Sequence, residues 1–186
     1  MRSIIMFFVS ACFIAALSHA EEYNAVRPDS SSIIFVFKQM NVPVEGRFQR
    51  FTSQLLFEPS RPERGKAQIE IDMNSIDVGN KDGNAEVRGR NWFDTEKYPT
   101  AKFVSEMIIS TGIERYEVSG KLTMKGQTKE LKAPFTMKQG LLEGGLVIKR
   151  LEWGIGAGIW RDTETVADEV RINFRLTAVS GKKGNK

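Results

Sequence analysis

The side chains best suited to chemistry stand in two stretches. The first is NWFDTEKYPTAKF, residues 91–103, which sets Asp94, Thr95, Glu96, Lys97 and Tyr98 among aromatic residues. A carboxylate works as a general acid or base only with a partner placed and tuned for the opposite role, and no base stands near. Asp94 and Thr95 instead suit a turn, because their oxygens accept from nearby backbone N–H groups. Pro99 pushes Tyr98 into extended backbone, so the chain must leave this turn as a strand. The peptide therefore reads as a corner that swings Trp92 and Phe93 under a strand, with Phe103 on the face of Ala101 and with Glu96 and Lys97 in solvent. The second stretch is LLEGGLVIKRLEWG, where Leu146, Ile148, Arg150 and Glu152 share one face of a continuing strand. An arginine there either pairs with Glu152 at the strand end or meets a phosphate, carboxylate or quinone oxygen at an opening. Arg88, in a short helical stretch over residues 84–91, is a second polar candidate; its plain alternative is a solvated helix residue.

Much other chemistry is excluded. Residues 1–20 carry Arg2, an apolar run and a Ser18-His19-Ala20 end, the three-part pattern of a cleavable secretory leader. A lipoprotein site at Cys12 is the weaker reading, since greasy residues follow it. Cys12 and His19 are the sole cysteine and histidine. A chain processed after residue 20 would thus hold no disulfide, thiolate, imidazole base or c-type haem link, and zinc would lose its usual ligands. The net charge of +4 also dissolves. Removing Arg2 and the tail residues Lys182, Lys183 and Lys186 from 27 basic residues leaves them equal to the 23 acidic ones. A nucleic-acid binder needs a basic face on the domain itself, and none is evident. GIGAGI, residues 154–159, lacks the Gly-x-Gly-x-x-Gly spacing and a following helix. As strand it would bare one face for close approach of Trp153 and Trp160. DVGNKDGNAE fails the EF-hand register.

The elements that must position these residues are strands. Val170, Ile172, Phe174, Leu176 and Ala178 alternate with polar neighbours, as do Ala67, Ile69, Ile71 and Met73. Residues 31–40 are apolar enough for a strand covered on both faces. Residues 116–138 read as a hairpin turning at Lys125-Gly126-Gln127, with Pro134 marking an edge or bulge. A further strand spans about residues 142–151. One domain over residues 21–180, followed by a basic tail at 181–186, accounts for the pattern. Its class is all-β, a sandwich or closed barrel. Phe35, Phe37, Phe48, Phe51, Phe57, Phe103 and Phe135 crowd the inward faces. They either fill a small core or line a wider lumen, and alternation does not decide which.

SIDVGNKDGNAEVRGRNWFDTEKYPTAKF resembles the signature of the YceI-like polyisoprenoid-binding family, and GRFQRFTSQLLF, VSGKLTMKGQTKEL, IKRLEWGIG and ADEVRINFRLTAV stand in the family's order around it. The resemblance implies an extended lipocalin-like antiparallel β-barrel of about eight strands with a short helix. It further implies a periplasmic, non-catalytic carrier whose lumen encloses a polyisoprenoid or similar long-tailed amphiphile, a quinone included, with no cofactor. The GIGAGIW arrangement extends the implied partners to a membrane b-type cytochrome, and the family resemblance to a homodimer. The lumen would then be lined by Phe35, Phe37, Phe48, Phe51, Trp92, Phe93, Phe103, Ile148 and Trp153, with a polar rim at Arg88, Arg150 and Glu152. Asn84 and Glu86 depart from a commonly acidic and a commonly histidine position, which puts the grip on the polar end in question. Two other readings are a lipid- or sugar-modifying enzyme using paired carboxylates and a filled barrel serving as partner of a membrane redox protein.

Overall fold

The structure, a computed structural model, describes residues 21–181; the expected leader with Cys12 and His19, and the tail from residue 182, lie outside the described residues. Alternating sequence becomes strand throughout: β1 (Tyr23–Gln39), β2 (Val42–Phe48), β3 (Phe51–Leu56), β4 (Lys66–Asp72), β5 (Ile76–Asp77), α1 (Lys81–Arg88), β6 (Thr100–Gly112), β7 (Arg115–Met124), β8 (Gln127–Lys138), β9 (Leu141–Lys149) and β10 (Glu169–Ser180). The strands form one antiparallel sheet in the order β3-β4-β6-β7-β8-β9-β10-β1-β2-β5. Met40-Asn41, Lys125-Gly126 and Gln139-Gly140 close three hairpins with both φ angles positive. Turns of that type match the right-handed twist of the strands they join. Twist curls the sheet back on itself: Tyr23, at the start of β1, and Phe57, just past β3, exchange two backbone hydrogen bonds of 2.8 Å each.

Ten strands stand where about eight were expected, and two kinks explain the difference. β2 and β3 are one run broken at Gln49-Arg50, and β4 and β5 are another broken by a 3-10 turn at Met73–Ser75. The breaks lie side by side and satisfy each other's backbone groups, as buried polar groups require. The buried Ser75 hydroxyl accepts from Arg50 N at 3.0 Å and donates to Asp72 O at 2.6 Å. Arg50 Nε and Nη2 both donate to Asp72 Oδ2, at 3.0 and 2.7 Å. Joined across the kinks, the strands number eight.

α1 begins three residues before the expected start at Asn84, capped by Asn80 Oδ1, which accepts from Gly83 N at 2.7 Å. The NWFDT corner folds against its end, with Trp92 N on Gly89 O, Phe93 N on Val87 O and Thr95 N on Arg88 O. Asp94 takes the left-handed conformation (φ 50°) that the turn demands. The buried Thr95 hydroxyl donates to Asn74 Oδ1 at 2.8 Å and fastens the corner to the β4–β5 kink. Pro134 sits where the β8–β9 ladder, which runs from Phe135 to Lys138, has ended. Its missing N–H therefore costs no rung. GIGAGI is not strand: Gly154, Gly156 and Gly158 have φ of 66°, 83° and 65° in the connection between β9 and β10.

Candidate functional site

The inward faces of the sheet enclose an elongated cavity of about 200 Å³, and of its 35 lining residues only Ser53, Gln54 and Arg150 are conventionally polar. A close-packed interior leaves few voids larger than a water molecule, so this barrel is not filled by its own side chains. The volume falls below the roughly 300–1,000 Å³ usual for drug-sized ligands, so the space is narrow. Leu142 and Arg150 of one strand run both line it, and at about 3.3 Å per residue they lie roughly 26 Å apart along the chain.

Glycines keep the lumen open. Phe35 pairs with Gly46 and Phe174 with Gly144 in register, while Phe103 lies diagonal to Gly120. A Cβ on Gly46 would strike the Phe35 ring; one on Gly144 or Gly120 would come within 2.6 Å of Phe174 Cζ or 2.8 Å of Phe103 Cζ. Each ring lies down over a bare backbone instead of crossing the tube. Rings pack across one end, where Phe57, Tyr116 and Phe135 meet with centroids 5.1, 5.9 and 5.3 Å apart.

Arg150 lies towards the other end, 2 % exposed, beyond the last residue of β9 in a 3-10 turn. Its Nε donates to Ala167 O at 3.1 Å, Nη1 to Ile155 O at 3.0 Å and Nη2 to Val166 O at 2.6 Å. The guanidinium stands over the Trp92 ring, 5.6 Å from its centroid. Burial pushes its pKa down, and the nearby Asp168 carboxylate partly opposes this. Gly156 makes the space, since a Cβ there would collide with Arg150 Nη1.

Of the residues expected in the lumen, Phe35, Phe37, Phe48, Trp92, Phe93, Phe103 and Ile148 line the cavity, and so does Arg150. Four expected residues do not. Phe51 packs into the wall beside Ile71, its partner in register. Trp153 is 1 % exposed behind the lining, with Lys129 Nζ 5.4 Å over its ring. Glu152 does not pair with Arg150, because the 3-10 turn breaks the strand's alternation and sends it outward to Lys129 Nζ at 3.3 Å. Arg88 bonds Ile76 O at 3.2 Å, beneath the helix, and its Nε has no partner. Asn84 and Glu86 are likewise held locally: Asn84 accepts from Val78 N and donates to Asp77 Oδ1, and Glu86 accepts from Trp92 Nε1. Trp160 packs on Trp92, at 5.3 Å, and not on Trp153. Ile155 and Val166 line the cavity from an aperiodic connection where no pattern marked them; Met73 was legible as inward from the alternation before it.

Comparison with known proteins settles the lineage. The YceI-like domain model matches residues 25–178. The chain belongs to the YceI-like family. Among YceI-like relatives, the UPF0312 protein of Photorhabdus laumondii is 36% identical over 84 residues, covering 45% of this chain and 43% of that protein. The chain thus matches less than half the length of that curated relative. The crystal structure of BcnA from Burkholderia cenocepacia superposes with a TM-score of 0.78 at 43% identity, covering 81% of this chain and 98% of that one. A polyisoprenoid binding domain from Saccharophagus degradans, implicated in plant cell wall breakdown, shares the fold with a TM-score of 0.63 at 18% identity, over 88% of this chain and 100% of that one.

Proposed function

We propose that this protein is a non-catalytic carrier that encloses the tail of a long-chain amphiphilic lipid, of the isoprenoid type, inside its curled sheet. The observation that carries the reading is the continuous cavity whose lining is apolar except at Ser53, Gln54 and Arg150. Each methylene moved from water into such a lining contributes about 0.8 kcal/mol, so a long tail binds firmly with few polar contacts. The cavity lining includes no carboxylate, which gives acid–base hydrolysis no seat there. The fold shared with a polyisoprenoid binding domain supports the same ligand class. The leader pattern of residues 1–20 supports export, with the periplasm as the working compartment. The test is organic extraction of protein purified from its native compartment, followed by mass spectrometry. A stoichiometric long-chain lipid is expected; repeated recovery of protein with no lipid, and no uptake of added lipid, would overturn the reading.

A further inference from the structure

Arg150 holds a positive charge against an apolar cavity with less compensation than a buried charge needs. A guanidinium carries five N–H donors, and the three carbonyls of Ala167, Ile155 and Val166 take one donor each from Nε, Nη1 and Nη2. One N–H on each terminal nitrogen is left over. Among the described residues no carboxylate forms an ion pair with Arg150. Asp168 acts only from a distance, its Oδ1 accepting from Leu151 N at 2.9 Å. A buried charge lacking a counter-charge is costly, and the cost is relieved by a partner that brings both the opposite charge and acceptor oxygens. The other two polar lining residues, Ser53 and Gln54, are on β3 and carry no charge. Gly156, bare at Arg150 Nη1, leaves the guanidinium its space.

We propose that the cavity selects amphiphiles with an anionic head, a carboxylate or phosphate monoester, whose oxygens accept the two free N–H groups on Nη1 and Nη2 of Arg150. The head then lies at the Arg150 end, and the tail runs along the inner faces of β9 and β10 toward the Phe57–Tyr116–Phe135 floor. Carboxylate and phosphate oxygens both suit the guanidinium fork, and charge-assisted hydrogen bonds are about twice as strong as neutral ones. This inference rests on the carrier reading and refines it.

The experiment compares a long-chain fatty acid, the primary alcohol of the same chain and the corresponding monoalkyl phosphate, titrated by calorimetry into delipidated protein at pH 7. The acid and the phosphate are expected to bind at least about tenfold more tightly than the alcohol, the margin of a charge-assisted over a neutral hydrogen bond. The preference for the fatty acid should shrink as pH falls below the range of a free carboxyl, about 4 to 5, while alcohol binding holds. An Arg150→Met variant, with folding checked by circular dichroism, should bind acid and alcohol within about twofold, the preference lost with its charge-assisted bonds. The wild-type pH series decides the matter alone should that variant not fold. Equal binding of acid and alcohol by the wild type would overturn the anionic-head proposal while leaving the carrier intact. Failure of all three ligands to bind would overturn both.

Discussion

Three loop carbonyls, those of Ala167, Ile155 and Val166, hold the guanidinium of Arg150. Its inward direction follows from strict alternation with Leu146 and Ile148, and that holds in the structure. The Glu152 partnership assumed that the strand continued; it ends at Lys149, and the 3-10 turn puts Glu152 in solvent. No spacing rule shows that three loop carbonyls, rather than a carboxylate, would gather round a guanidinium. Gly156 is where this can be tested. It combines a φ of 83° with direct contact between the site of any Cβ and Arg150 Nη1. Alanine there suffers left-handed strain of about 1–3 kcal/mol and must also displace the guanidinium. A Gly156→Ala variant should therefore lose a few degrees or more in thermal midpoint by circular dichroism, whereas Gly79→Ala, at φ 90° with nothing within 4 Å, should show the strain alone. Equal losses in the two variants would mean that Arg150 does not depend on that space.

At the scale of elements, strands and hairpin turns were legible because their signals are local: period-two alternation for β4 and β10, and a glycine that takes positive φ at Lys125-Gly126. The kinks were not, because their logic is a cross-link between two breaks, Ser75 serving Arg50 and Asp72 at once. The corner peptide did read correctly as a shaping device, and its fastening through Thr95 to Asn74 joins it to the same kink. Two carboxylates hold this region, and both have lowered pKa values relative to their ordinary 3.8. For Asp72 the leading cause is the hydrogen bond from Arg50, and for Asp77 it is the backbone N–H of Gly79, followed by the Asn84 amide. A depressed carboxylate contributes stability that is complete above its unfolded pKa and is lost as pH falls through the folded one. The kink should therefore hold at pH 5 and loosen below about pH 4, the unfolded carboxylate range. Limited proteolysis near residues 72–84 should report the change. In Asp77→Asn the change in cleavage between pH 5 and pH 3 should be smaller than in the wild type; an identical pH response would rule Asp77 out as a contributor.

For the whole molecule, the undecided question was whether the aromatic faces fill a core or line a hollow. The sequence held the answer in scattered form, because Gly46, Gly120 and Gly144 come opposite or diagonal to Phe35, Phe103 and Phe174 only once strand register is known. Two of these pairs lie in the β1–β2 and β6–β7 hairpins, whose register the turn sets, and the third spans the long connection between β9 and β10. An open lumen also has a thermodynamic consequence. A ligand that binds only the folded state stabilises it by RT ln(1 + [L]/Kd), about 2.7 kcal/mol at a hundredfold excess over Kd. For a domain of this size that is a rise of roughly 5–11 °C in thermal midpoint, at about 2–4 °C per kcal/mol. Gly46→Val should abolish most of that rise, because its side chain takes the place of the Phe35 ring and drives the ring into the channel. The empty variant should itself fall by about 1–3 kcal/mol, the usual cost of overpacking, so the informative quantity is the ligand-induced increment and not the midpoint. Differential scanning calorimetry of wild type and variant, each with and without a long-chain fatty acid, measures it. An increment in Gly46→Val as large as in the wild type would mean that the lipid does not lie along the β1–β2 wall.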